Sequence, residues 1–137
     1  MSASALISVC VSPNQNPAIQ ARVAVRCESR PDGVMAHQVD VQKASGQELR
    51  PALAQVLKSE IVAGLLTGRH KAKGGWTLTV ESISGSDGDE MALLQIPSIG
   101  YAIAATLAVL HGTGVEDLQT DPHGGHGWQL ISLETAA

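Results

Sequence analysis

The chain has 137 residues and a mass of 14.2 kDa, with 44% apolar residues and no Phe, which fits one domain (1–137) with a real core and excludes wholesale disorder. No apolar run reaches the length of a membrane span, and the N-terminus lacks a basic-then-apolar leader, so the expectation is a cytoplasmic protein with no membrane association. All nine Lys and Arg lie between Arg22 and Lys73 against five acids, leaving +4 in residues 1–73, while residues 74–137 carry eight acids and no Lys or Arg, or −8; the acidic total excludes tight, sequence-blind DNA binding but leaves room for a local basic face.

Ala5–Val11 is rich in β-branched residues and reads as a strand, followed by a turn cluster with two prolines at 12–17. Residues 18–28 alternate, with Ile19, Ala21, Val23, Val25 and Cys27 on one side and Arg22 and Arg26 on the other: a half-buried strand with a basic outer face. Arg30-Pro31-Asp32-Gly33 is a turn signal, and Val34–Gln42 alternates as a return strand, so the pair predicts an antiparallel hairpin. His37 falls on this strand as a partly buried core histidine.

A helix follows. Ser45 and Glu48 have capping-box spacing, but Pro51 belongs in a first turn, so the helix starts near Leu49–Pro51. Leu53, Leu57, Ile61 and Leu65 form its buried row, and Gly68 is the expected stop, leaving Arg69 to Lys73 in a loop. Trp76–Ile83 alternates as a strand. An acidic turn (84–90) leads to 91–96, which reads equally as a strand or an early helical turn. Ser98–His111 is a second helix, slim with alanine and ended by Gly112; an oligomer could bury that alanine face. Trp128–Leu133 is a final strand. The order predicts an α+β fold: an antiparallel or mixed sheet with two helices packed on one face. Cys10 and Cys27 match no zinc spacing and read as buried free thiols; a disulfide would need their strands to be adjacent.

Pro51-Ala-Leu-Ala-Gln-Val-Leu57 running to Gly64-Leu-Leu-Thr-Gly68, then Asp89-Glu90-Met91-Ala92 and Gln95-Ile96-Pro97-Ser98-Ile99-Gly100-Tyr101-Ala102, resemble the two helices of domain IV of elongation factor G. Val23-Ala-Val-Arg-Cys-Glu28 is similar to that domain's first strand. The resemblance covers about residues 20–112, with 113–137 as a C-terminal extension. It implies the βαβ architecture of the second domain of ribosomal protein S5, and a stand-alone module contacting RNA or the translation machinery. The family's Gly-rich tip loop is replaced here by Arg30-Pro31-Asp32-Gly33, Pro97 interrupts the second helix, and no phosphate-loop motif G-x-x-x-x-G-K-[ST] occurs.

Three candidate sites remain. Asp121, His123 and His126 in a Gly-rich loop, with His111 at a helix end, have donor types suited to Zn²⁺ or Ni²⁺; the same stretch is also an ordinary surface turn. Arg69, His70, Lys71 and Lys73 follow a helix C-terminus, where cations offset the helix dipole or meet phosphate; Arg22, Arg26 and Arg30 would extend the contact. Asp87, Asp89 and Glu90 form an acidic turn that lacks the spacing of a calcium loop. No nucleophile-elbow motif is present. The leading expectation is a non-catalytic binding or assembly module with RNA or a ribosome-associated partner. The alternatives are a metal-binding protein or metal-dependent hydrolase, and a homo-oligomer of structural role.

Overall fold

A computed structural model of the chain describes residues 4–85, 99–115 and 127–136. In chain order the elements are β1 (Ser4–Pro13), β2 (Ala21–Arg30), β3 (Met35–Gln38), α1 (Val41–Ser45), α2 (Pro51–Lys71), β4 (Gly75–Ser84), α3 (Ile99–Gly112) and β5 (Trp128–Ala136). The strands form one mixed sheet of order β3-β4-β2-β1-β5, antiparallel throughout except for the parallel β3–β4 pair. The fold is α+β, with three helices among the described residues where the sequence predicts two.

Alternation decides which side of each strand meets the helices. Ile7, Val9 and Val11 of β1 and Ala21, Val23, Val25 and Cys27 of β2 are buried in one core with Leu78, Val80 and Ile83 of β4. The opposite positions are small or charged: Ser8 and Cys10, Arg22, Ala24 and Arg26.

The predicted β2–β3 hairpin does not form. β4 lies between the two strands, antiparallel to β2 (Arg30↔Gly75 to Arg22↔Ser84) and parallel to β3 (Met35↔Trp76 to Gln38↔Thr79). The ten-residue β4 carries three buried apolar side chains, whereas the four residues of β3 are all half-buried or exposed, so the interior position goes to the strand with more to bury. Residues 39–74 then form the crossover that parallel neighbours require, giving a βαβ unit. Gly75 permits the crossing: a Cβ there would lie 2.7 Å from the Gly33 backbone, and Trp76 N–H donates to the Val34 carbonyl at 2.9 Å. His37 is exposed on this short edge strand, not partly buried as its alternation suggests.

The predicted long return strand is cut short by α1. Asp40 caps it, its carboxylate accepting from Lys43 N–H at 3.2 Å, and Gly46 ends it in the left-handed region at φ 68°. Gln42 then clamps Leu49, accepting its N–H at 2.6 Å and donating to its carbonyl at 2.9 Å. Ser45 closes α1 instead of capping α2; Pro51 opens α2, as expected.

Leu57, Ile61 and Leu65 point inward from α2, each contributing roughly 1.5–3 kcal/mol of apolar burial. The helix passes through Gly68 and ends at Lys71. Gly68 is a point of close approach, not the stop: its missing Cβ would meet Val109 of α3 at 2.8 Å. One turn earlier, a Cβ on Gly64 would collide with the Ala102 carbonyl oxygen. Thr106 reinforces this crossing with its hydroxyl 3.0 Å from the Gly64 carbonyl and 2.9 Å from that of Ala102. Every residue of α3 from Gly100 to Leu110 is buried, so its alanine-rich side is interior and unavailable to an oligomer.

Candidate functional site

The contacts above set the directions of the elements. Gly100 at the start of α3 meets Trp128 and Ala21, and Gly112 at its end meets Cys27 and Ile7. α2 crosses α3 in the same sense, Gly64 near Ala102 and Gly68 near Val109. The C-terminal ends of α2, α3 and β2 and the first residues of β4 therefore gather at one end of the molecule.

That end collects five of the seven predicted contact residues. Arg69, His70 and Lys71 form the last turn of α2, with His70 and Lys71 exposed and Arg69 half-buried; exposed Lys73 follows in the connection to β4. Arg30 ends β2 opposite Gly75. Arg69 and Lys71 stand at the carbonyl end of α2, a favourable position for positive charge. Trp76 holds the connection by donating its indole N–H to the Lys73 carbonyl at 2.9 Å, and Ala72 N–H donates to the Arg69 carbonyl at 3.1 Å.

Arg30 serves the fold as well as the surface. Its Nε and Nη2 donate to the two carboxylate oxygens of Asp32 at 3.0 and 2.6 Å, and Nη1 donates to Thr77 at 3.2 Å. Asp32 also accepts from Val34 N–H at 3.0 Å. The Arg30 guanidinium, then this backbone bond, hold the Asp32 carboxyl down to about 2, and Asp32 in turn raises Arg30. Among the described residues, Arg69, His70, Lys71 and Lys73 make no ion pair.

Arg22 and Arg26 lie elsewhere, on the sheet face away from the helices. Arg22 pairs with Ser84 near the far end of β2, eight positions from Arg30, or about 26 Å along an extended strand. It donates to Gln20 at 2.8 Å. Arg26 is engaged: its Nε meets Glu81 at 2.9 Å and Nη1 donates to Ser4 at 3.1 Å. The Glu81 hydrogen bond raises Arg26 further above its ordinary value. Glu81 stands two residues beyond Thr79, the β4 partner of Arg26, and so reaches Arg26 diagonally across the two strands. Sequence reasoning missed Glu81, Thr77 and the Trp76 clasp. Only the polar alternation of β4 hints at the first two.

Of the proposed metal ligands, Asp121, His123 and His126 lie outside the described residues, as do Asp87, Asp89, Glu90 and the 91–96 segment. His111 is half-buried, with Nε2 3.1 Å from the Thr135 hydroxyl. Thr135 is eight positions along β5 from Gly127, where the described chain resumes, about 26 Å if extended. No group of three or more His, Cys, Asp or Glu is placed to hold a metal among the described residues. Both cysteines are buried and free, and their side chains lie on opposite faces of the sheet. No described helix is long and apolar enough to cross a membrane.

Comparison with known proteins finds no family model and no curated protein that matches this chain.

Proposed function

We propose that the chain is a non-catalytic binding module that meets RNA phosphates with its basic end. One observation carries this reading: Arg69, His70, Lys71 and Lys73 lie at the same end of the molecule as Arg30, and the first four make no ion pair among the described residues. Helix and strand termini far apart in sequence supply these groups at one end of the molecule. This end has Trp76 as its aromatic neighbour, and that indole is half-buried and bonded to Lys73, so base stacking plays little part. Phosphate recognition fits better, in keeping with the resemblance to domain IV of elongation factor G and a ribosome-associated partner.

The test is fluorescence anisotropy with a labelled RNA hairpin across a salt series. Three phosphate contacts predict an affinity loss of roughly 20- to 40-fold between 50 and 200 mM salt. Neutralising Arg69, Lys71 and Lys73 together to Gln is expected to remove most of the binding and flatten the salt dependence. Equal binding by this variant would sink the proposal.

A further inference from the structure

We infer that a second copy of this chain docks on the sheet face away from the helices, in a two-fold dimer where Arg22 of each copy pairs with Glu134 of the other. The inference is independent of the RNA reading, because the basic end lies away from Arg22.

Strand register lays out the surface. One row across the sheet is Ser132, Cys10, Arg22 and Ser84; the next is Glu134, Ser8, Ala24 and Ser82. Six of these eight side chains are small. They line a shallow trough of about 310 Å³ with Arg22 and Glu134 at its rim. Bulges flank it on both sides, one displacing the β1–β5 register between Cys10 and Val11, the other the β2–β4 register between Ala24 and Val25. Bulges bend strands and re-aim their side chains. No described helix packs on this face, and Cys10 and Ala24 within it are buried while Arg22, Ser82, Ser132 and Glu134 are exposed.

Charge and area identify the occupant. Arg22 and Glu134 are both exposed, and neither makes an ion pair among the described residues. They stand two strands and two residues apart, roughly 12 Å between backbones. A two-fold axis lying along the face, over β1 between Ser8 and Cys10, exchanges the two positions. It sets each guanidinium against the opposite carboxylate. A self-complementary patch of this kind is what an isologous interface requires. The area is also sufficient: four strands by eight residues cover roughly 500 Å² per copy, about 1,000 Å² for the pair, near the lower bound for a specific interface.

Sedimentation equilibrium of the full chain over a concentration and salt series tests this. The expected mass is twice 14.2 kDa, falling towards a single copy at high salt. Arg22→Glu and Glu134→Arg should each weaken the dimer about tenfold or more by opposing like charges. The double reversal, Arg22→Glu with Glu134→Arg, should restore it. Circular dichroism of each variant separates lost association from lost folding. A single-copy mass at every concentration overturns the inference, as does a dimer indifferent to either reversal. A double variant no better than the singles also overturns it, and points to the trough as a site for something smaller.

Discussion

The two faces of β1 and β2 are built from the same strands and differ in almost every other respect. Towards the helices stand Ile7, Val9, Val11, Val23 and Val25, all buried and branched. On the other side, across the same peptide bonds, stand Ser8, Cys10, Arg22, Ala24 and Arg26. The first face is chosen by volume and the second by charge and small size. A strand with period two carries two separate sets of constraints, and only the apolar set is needed to explain why the chain folds.

The comparison breaks most sharply on the helix side. Gly64→Ala forces a methyl group against the Ala102 carbonyl and should cost about 3 kcal/mol, lowering Tm by roughly 10 °C in a thermal melt. Tyr101 offers the opposite sign. Its hydroxyl is fully buried with no hydrogen-bond partner among the described residues, and burial pushes the phenol above its ordinary value. Removing that unsatisfied group in Tyr101→Phe should stabilise the protein by about 1 kcal/mol, raising Tm by roughly 3 °C. On the face away from the helices, Ser8→Ala and Ser132→Ala should each change monomer stability by less than about 0.5 kcal/mol in urea. Equal sensitivity on both faces would erase the distinction.

Smaller effects sharpen it. Burial pushes the Cys27 thiol up to about 12, and burial raises Cys10 despite the opposing charge of Arg22. Both thiols should therefore react with Ellman's reagent at pH 8 far more slowly in the native protein than in guanidinium. At the β2–β3 turn, Asp32 is depressed in the folded state, so its stabilising contribution is present above the ordinary carboxyl range. It is lost as pH falls from about 4 through about 2. Carbon-detected NMR should place the Asp32 midpoint near 2, and Arg30→Gln should move it back towards the ordinary value.

Much of the scaffold was legible because local period reports which side of an element is buried. The row Leu57, Ile61 and Leu65 marks α2, and the alternation from Ala21 to Cys27 marks the inner face of β2. Period does not report neighbours, which is why β3 read as the partner of β2 when β4 takes that place. Nor does it separate a strand's end from a five-residue helix: Val39 and Val41 continue the alternation, and only Asp40 and Gly46 mark α1 as helical. Gly68 read as a terminator because glycine ends helices more often than it seats them against one another. For the candidate site, the basic residues were visible as a run, but their place at the same end as Arg30 depends on the sheet order. The Arg26–Glu81 pair, 55 positions apart, had no local signature.

The insertion of β4 between β2 and β3 also bears on how fast the protein assembles. One of the two central pairings of the sheet joins Arg30 to Gly75, 45 positions apart, across a connection that must first wind into α1 and α2. β1 and β2 can meet early because a short turn joins them. β4 reaches its slot only after a long loop has closed, at an entropic cost that comes before any reward from the contact. Folding should therefore be slow for a chain of this length, with the β2–β4 pairing late and the β1–β2 hairpin early in the transition state.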